Sequence, residues 1–236
     1  MKKILAVLLA VGLVLSMAAC TGGAEKKGEG VMTYAEYVAA EIDSEVVVET
    51  YVQAKQSWWN DQVTVYTQDK DGGYFLYNMA CSEEDNAKLT PGTKIRVKGV
   101  KSEWAGEVEI TEATFEILSG NYVAKAEDVT KLYGTDELVK KQNVFAAFKG
   151  FKVEAYDESG AAFAYKNAEE KTDDLYFKAS LNGVTYDFCV EFYLTGKDSE
   201  VYKAVENLKV GDTVDMEGFL YWYNGADPHI TKITVK

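Results

Sequence analysis

Past a leading apolar run, hydrophobic positions in this chain recur mostly with period two, the spacing of strands. Between residues 94 and 98, Ile95 and Val97 point one way and Lys94, Arg96 and Lys98 the other, as in a half-buried strand. Similar runs rich in Val, Thr and aromatics predict strands at 45–55, 63–68 and 74–81, then at 144–155, 175–181 and 184–194. Asp69-Lys-Asp-Gly-Gly73 connects one hairpin and Asn182-Gly183 another, the latter a strong signal for a two-residue turn. Helices are few and short. Thr33-Tyr-Ala-Glu36 has capping-box spacing and opens one through Ala40; Ser82 caps a second ending at Leu89; a third spans 199–208. Residues 121–142 lack a strand pattern, and 136–142 predict a linking helix.

One stretch occurs twice. Leu89-Thr-Pro-Gly-Thr-Lys-Ile-Arg-Val-Lys-Gly99 matches Leu208-Lys-Val-Gly-Asp-Thr-Val-Asp-Met-Glu-Gly218, and the glycine spacing continues to Gly106 and Gly225. Thr90-Pro91-Gly92-Thr93 has the type II turn pattern. Gly99 and Gly218 interrupt strands, where glycine marks a bulge or a barrel corner. Gly106 and Asn224-Gly225 are hairpin tips, the latter suited to a type I′ turn. The charges swap sign between copies: Lys94, Arg96 and Lys98 are expected to face Glu107 and Glu109, and Asp215 and Glu217 to face Lys232 and Lys236. That swap makes the basic stripe a solvated cross-strand ladder rather than a nucleic-acid patch.

Three strands, a helix and two strands, read twice, is the order of the OB-fold, a small five-stranded barrel. The fold class is therefore mainly β, with two OB-fold-like five-stranded β-barrels in tandem and a short helix between strands 3 and 4 of each. The boundaries are 1–19 for a signal peptide, 20–30 for a flexible tether, 31–120 for the first barrel, 121–142 for a linker with a short helix and 143–236 for the second barrel. The connection 156–174 far exceeds its counterpart in the first half. It is either a functional loop or a strand extension carrying Phe163 and Tyr165. The repeated Leu-x-x-Gly-x-x-Val/Ile-x-Val/Met-x-Gly motif resembles the tRNA-anticodon-binding-like OB domains of bacterial lipoproteins.

The first residues fit that resemblance. Met1-Lys-Lys is a basic start and Ile4 to Leu15 an apolar run of signal-peptide length. Ser16-Met-Ala-Ala-Cys20 is similar to a lipobox, departing at Met17, where that pattern prefers Leu. The resemblance implies lipid attachment at Cys20, a stable two-chain anchor and an extracytoplasmic position on the cell membrane. Residues 21–30 would reach on the order of 17 Å as a random coil.

Net charge is −13 over 236 residues, and becomes −15 if Lys2 and Lys3 leave with a signal peptide. Arg96 is the only arginine. Such a surface is poorly equipped to hold phosphates, which makes a nucleic-acid partner the alternative rather than the main reading. Candidate chemistry is sparse. His229, the only histidine, follows Pro228 with no nucleophile in register, and is expected at the surface. Cys81 shares a face with Phe75, Tyr77 and Met79 and is expected buried; Cys189 alternates with Asp187 and Glu191 and is expected on a more exposed face. A Cys81–Cys189 disulfide would need equivalent strands of two barrels to come within bridging distance. Without Cys-x-x-Cys spacing they form no ordinary zinc pattern, and Asp69-Lys-Asp71-Gly72 reads as a turn rather than a calcium loop. No catalytic constellation, metal site or cofactor is indicated.

Aromatic residues carry the functional reading. OB-folds bind ligands across strands 2 and 3, between the strand 1–2 and strand 4–5 loops. Those places hold Trp58, Trp59, Tyr66 and Trp104 in the first half and Tyr221, Trp222 and Tyr223 in the second. The chain is read as a membrane-anchored binding module for an envelope glycan, a peptide or a partner protein, without enzymatic activity. The other use for these rings is capping the barrel ends.

Overall fold

The computed structural model describes residues 27–236; the expected signal peptide over 1–19 and the expected lipid attachment at Cys20 lie outside them. The first barrel comprises β1 (Glu45–Lys55), β2 (Gln62–Gln68), β3 (Gly73–Ala80), β4 (Thr93–Trp104) and β5 (Glu107–Asn121), closed in the order β1-β2-β3-β5-β4. Closure is made by a parallel β3–β5 pair, Phe75 against Glu109 and Leu76 against Ile110. Helix α1 (Tyr34–Ala39) starts at Thr33 with the full reciprocal capping box, and α2 (Glu83–Lys88) starts at Ser82. Alternate residues of the strands, among them Val48, Val65, Leu76, Ile95 and Ile110, fill the barrel.

The second barrel comprises β7 (Phe145–Glu154), β9 (Thr172–Leu181), β10 (Val184–Val190), β11 (Thr213–Phe219) and β12 (His229–Val235), after the two-residue β6 (Glu127–Asp128). Its sheet runs β7-β11-β12-β10-β9 and closes through β7–β9, which makes a second five-stranded barrel. Phe148, Phe151, Phe177 and Phe188 fill it, more aromatic than the aliphatic first core. Helices α3 (Phe192–Thr195) and α4 (Glu200–Glu206) stand between β10 and β11. Asn182 and Gly183 take φ of +53° and +82°, as a two-residue hairpin turn requires.

Both repeated glycines sit where strands approach too closely for a side chain. A Cβ at Gly99 would lie 2.7 Å from Thr111 O, and one at Gly218 2.2 Å from His229 O. Register shifts at both points mark bulges that turn the barrel corner.

Some expectations hold and others are corrected. The long 156–174 connection contains β8 (Phe163–Asn167), an edge strand beside β9, so it extends the sheet. Residues 121–142 form no α-helix. Gly134 turns the chain at φ +80°, leaving two 3-10 turns, and β6 pairs in parallel with β7. The basic ladder finds other partners: Lys94 and Arg96 meet Glu49, at 3.0 and 2.9 Å, and Lys98 meets Glu45. Strands β4 and β5 outrun the short pattern, so Lys94 lies opposite Leu118 and Lys98 opposite Thr114. Glu107 and Glu109 are buried instead. The second ladder forms as read, Lys232 with Glu217 and Lys236 with Asp215. The end of the presumed tether is docked: Lys27 Nζ meets Asp69 Oδ2 at 2.6 Å with both side chains buried. Asp69 also accepts the amides of Asp71 and Gly72, so this segment is a turn.

Candidate functional site

The site follows from how the barrels meet. Strand β2 is buried along nearly its whole length, on both faces. Its outer face places Tyr66 and, from β3, Phe75 against Phe219 of β11, with Phe145 and Tyr221 packed around them. The ring centroids of Tyr66 and Phe219 are 4.6 Å apart. Backbone and amide bonds fasten the rim: Phe145 N–H donates to Gln68 Oε1 at 2.7 Å, Trp222 N–H to Glu107 Oε2 at 2.9 Å, and Asn224 N–H to Ala105 O at 2.7 Å. A Cβ on Gly73 would lie 2.2 Å from the Asn143 carbonyl, so this contact admits only glycine.

Tyr66 is therefore withdrawn as a ligand contact. It is 1% exposed, and the second barrel occupies the strand 2–3 face an OB-fold ordinarily offers to ligand. Its hydroxyl lies 2.5 Å from His229 Nδ1. His229 is correspondingly not a surface residue. It is buried and stacks on Tyr221 with centroids 4.2 Å apart, and burial pushes its pKa down to about 3, leaving the ring neutral. Cys189 is also buried, because its strand register places it beside His229 under the junction; Cys81 and Cys189 are both free thiols.

Two connected cavities open along the junction. The first, about 590 Å³, is walled by Trp58, Trp59, Tyr77 and Tyr193 with Gln56, Gln62, Thr64 and Asn78, and no charged side chain lines it. Local geometry explains its shape. Asn60 and Asp61 have φ of +50° and +57°, and Trp59 and Gln62 exchange two backbone hydrogen bonds of 3.0 Å, so a type I′ turn carries Trp59 at its edge. Trp59 is 80% exposed. Trp58 is fixed by its Nε1–H, which donates to Cys81 O at 2.8 Å. Asn78, at φ +47°, donates its amide to Thr64 Oγ1 at 3.2 Å where β2 and β3 slip register. On the other bank, Ser57 N–H donates to Tyr193 O at 2.8 Å, tying the barrels.

The second cavity, about 480 Å³, shares Gln56 and Tyr77 with the first and lies beneath the Tyr221–Asp227 loop. Tyr156, Tyr176, Tyr221 and Tyr223 wall it, and Asp174, Asp187, Glu191 and Asp227 are also among its lining residues. Burial, then Asp187 and Asp174, pushes Asp227 up to about 7. Burial, then Asp174, pushes Glu191 up to about 7, although Glu191 caps α3 by accepting Leu194 N–H at 2.6 Å.

Of the nominated aromatics, the fold gathers Trp58 and Trp59 at one cavity and Tyr221 and Tyr223 at the other. Trp222 is half-buried against Gly106 and belongs to the junction, and exposed Trp104 lines neither cavity. The tip is wider than the type I′ turn read there. Trp222 bridges to Ala226, and Gly225 takes φ +151°. Missed were Tyr77, Tyr193, Tyr156 and Tyr176. Period two groups Tyr77 with Phe75, Met79 and Cys81 on one face, but the register slip at Asn78 leaves Phe75 and Tyr77 outside the barrel while Met79 and Cys81 turn in; Tyr193 comes from another domain and no spacing announces it.

No protein-family model and no curated protein matches the chain. Solved structures do. A structure described as the Ifi202 HINa domain in complex with 20bp dsDNA is 13% identical, covers 82% of this chain and 98% of its own, and has a TM-score of 0.35. A murine DNA binding protein bound with ds DNA is 12% identical over 80% of this chain and 90% of its own, TM-score 0.35. A replication protein A heterotrimer bound to ssDNA is 12% identical over 81% of this chain and 49% of its own, TM-score 0.31. The narrower likeness to tRNA-anticodon-binding domains finds no support, since no family model matches.

Proposed function

We propose that the chain is a binding module whose ligand is a hydroxyl-rich ring compound, a glycan, held in the uncharged groove at the barrel junction. The carrying observation is that Trp59, Tyr77 and Tyr193 offer exposed ring faces beside Gln56, Gln62 and Asn78, with no charge among them. Aromatic faces cover the apolar C–H faces of a sugar ring, while amides and hydroxyls exchange hydrogen bonds with its hydroxyl groups. A groove preformed by two fastened barrels loses little freedom on binding. Lipid attachment at Cys20, on the extracytoplasmic face of a cell membrane, belongs to the same proposal. It would place the groove where envelope polysaccharide is at hand. Among the described residues no helix is long and apolar enough to cross a membrane.

The second reading is single-stranded nucleic acid, a ligand class of OB-fold barrels; of the similar solved structures, one is described with ssDNA and others with dsDNA. Here the junction covers the face such a ligand would use, and the one arginine is held by Glu49 at 2.9 Å. Tryptophan fluorescence of residues 27–236 decides between them. Titration with N-acetylglucosamine oligomers is expected to quench the wild type and not Trp59→Ala. Quenching by single-stranded DNA that weakens with salt, and none by the oligomers, would overturn the glycan reading.

A further inference from the structure

The groove runs on past Gln56 and Tyr77 into a chamber of opposite chemistry. Asp174, Asp187, Glu191 and Asp227 line that chamber, together with the neutral His229, and no lysine or arginine does. Asp174 is answered from outside by Lys166 Nζ at 3.1 Å, but Asp187, Glu191 and Asp227 form no ion pair among the described residues. Charge of one sign gathered between low-dielectric walls attracts a counter-ion.

Unfilled hydrogen bonding points the same way. Asp227 Oδ1 is buried with no partner. His229, 8% exposed, lies beside it and uses Nδ1 on Tyr66. Buried polar atoms are rarely left unpaired, so Asp227 Oδ1 sits where a ligand donor would complete it. The walls are tyrosines, whose ring faces attract cations. Tyr156 already does so on one face, with Lys178 Nζ 5.1 Å from its centroid.

We infer that this chamber receives the ammonium group of the ligand, so that the glycan carries a free amine, as in an N-deacetylated amino sugar. The inference rests on the glycan reading for the neutral part of the ligand. The chamber alone recognises the cation, held by Asp227 and Asp187 and faced by Tyr221 and Tyr223. An acetylated nitrogen carries no charge and donates one hydrogen bond where an ammonium donates three.

The test is calorimetric titration of the wild type with glucosamine oligomers and N-acetylglucosamine oligomers of equal length, together with choline as a probe of the chamber alone. The deacetylated oligomer is expected to bind at least tenfold more tightly. Asp227→Asn should abolish that preference while keeping affinity for the acetylated oligomer, and Tyr223→Ala, an exposed wall residue whose loss leaves the cores intact, should weaken choline about fivefold. Trp59→Ala should weaken both oligomers and leave choline unchanged. Equal affinity for both oligomers, or a preference that survives Asp227→Asn, overturns the inference and leaves the glycan reading standing. Choline binding lost in Asp227→Asn, with neither oligomer binding, overturns the glycan reading and keeps the cation chamber.

Discussion

Raising the pH from about 4.5 to about 7.5 should destabilise this protein, against the common pattern in which ion-paired carboxylates favour neutrality. Asp227 and Glu191 have folded-state pKa values pushed up to about 7, against ordinary values near 4. A raised carboxyl favours the folded state while protonated, and that advantage is lost as pH rises through 7. Over this window each forfeits roughly 3 kcal/mol, at about 1.4 kcal/mol per unit. His229 acts oppositely: with its pKa pushed down to about 3, protonation of the unfolded chain penalises folding below about pH 6.5. Rising from 4.5 to 6.5 restores about 3 kcal/mol through the histidine, so the net loss is on the order of 3 kcal/mol. Glu107 and Glu109, raised by burial, add to the carboxyl side. The groups facing the pair do not reverse it. Cys189, Tyr156, Tyr176 and Tyr221 are all raised and titrate above the window, and Lys166 stays charged throughout. Carboxylates held low, such as Asp128 at about 2, lose their contribution only below the window. Urea unfolding of residues 27–236 at each pH measures the curve. The double variant Asp227→Asn, Glu191→Gln should match the wild type near pH 5 and exceed it near pH 7.5. Wild-type stability that is flat or rising across the window, or a variant that never overtakes it, would refute the assignment of buried, unpaired carboxyls to the chamber.

Three further outcomes follow from the junction. Tyr66→Phe removes the hydroxyl beside His229 Nδ1 and leaves a buried ring nitrogen unpaired, which should cost about 1–3 kcal/mol in urea unfolding. Gly73→Ala drives a methyl into the Asn143 carbonyl and should cost about 1–3 kcal/mol while separating the barrels, read as faster hydrogen exchange at the Phe145 amide. Trp59→Ala, in an exposed ring at a turn, should change stability by less than about 0.5 kcal/mol, so any lost binding reports the groove itself.

Local pattern determined the barrels. Period-two alternation, the caps at Thr33 and Ser82, the Asn182-Gly183 turn and the paired glycines at 99 and 218 all act within a few residues, so they can be read without knowing what lies across the chain. Residues 136–142 hold only a 3-10 turn over Leu138–Lys141, ended where Gln142 becomes extended and Asn143 takes φ +67°. Only tertiary structure decided the site. Tyr66 has the same neighbours in sequence whether its ring faces solvent or a second barrel, and Phe219, which covers it, is 153 positions away (219 − 66). His229 and Cys189 were misplaced for the same reason, because burial depends on which strands the closing pairs bring together. The four carboxyls of the chamber come from β9, β10, the residue after β10 and the loop before β12. Their repulsion exists only once the second barrel closes and brings them together, with Gln56, Phe75 and Tyr77 of the first barrel as the remaining wall, because charge in solvated segments is screened and charge gathered between protein walls is screened far less.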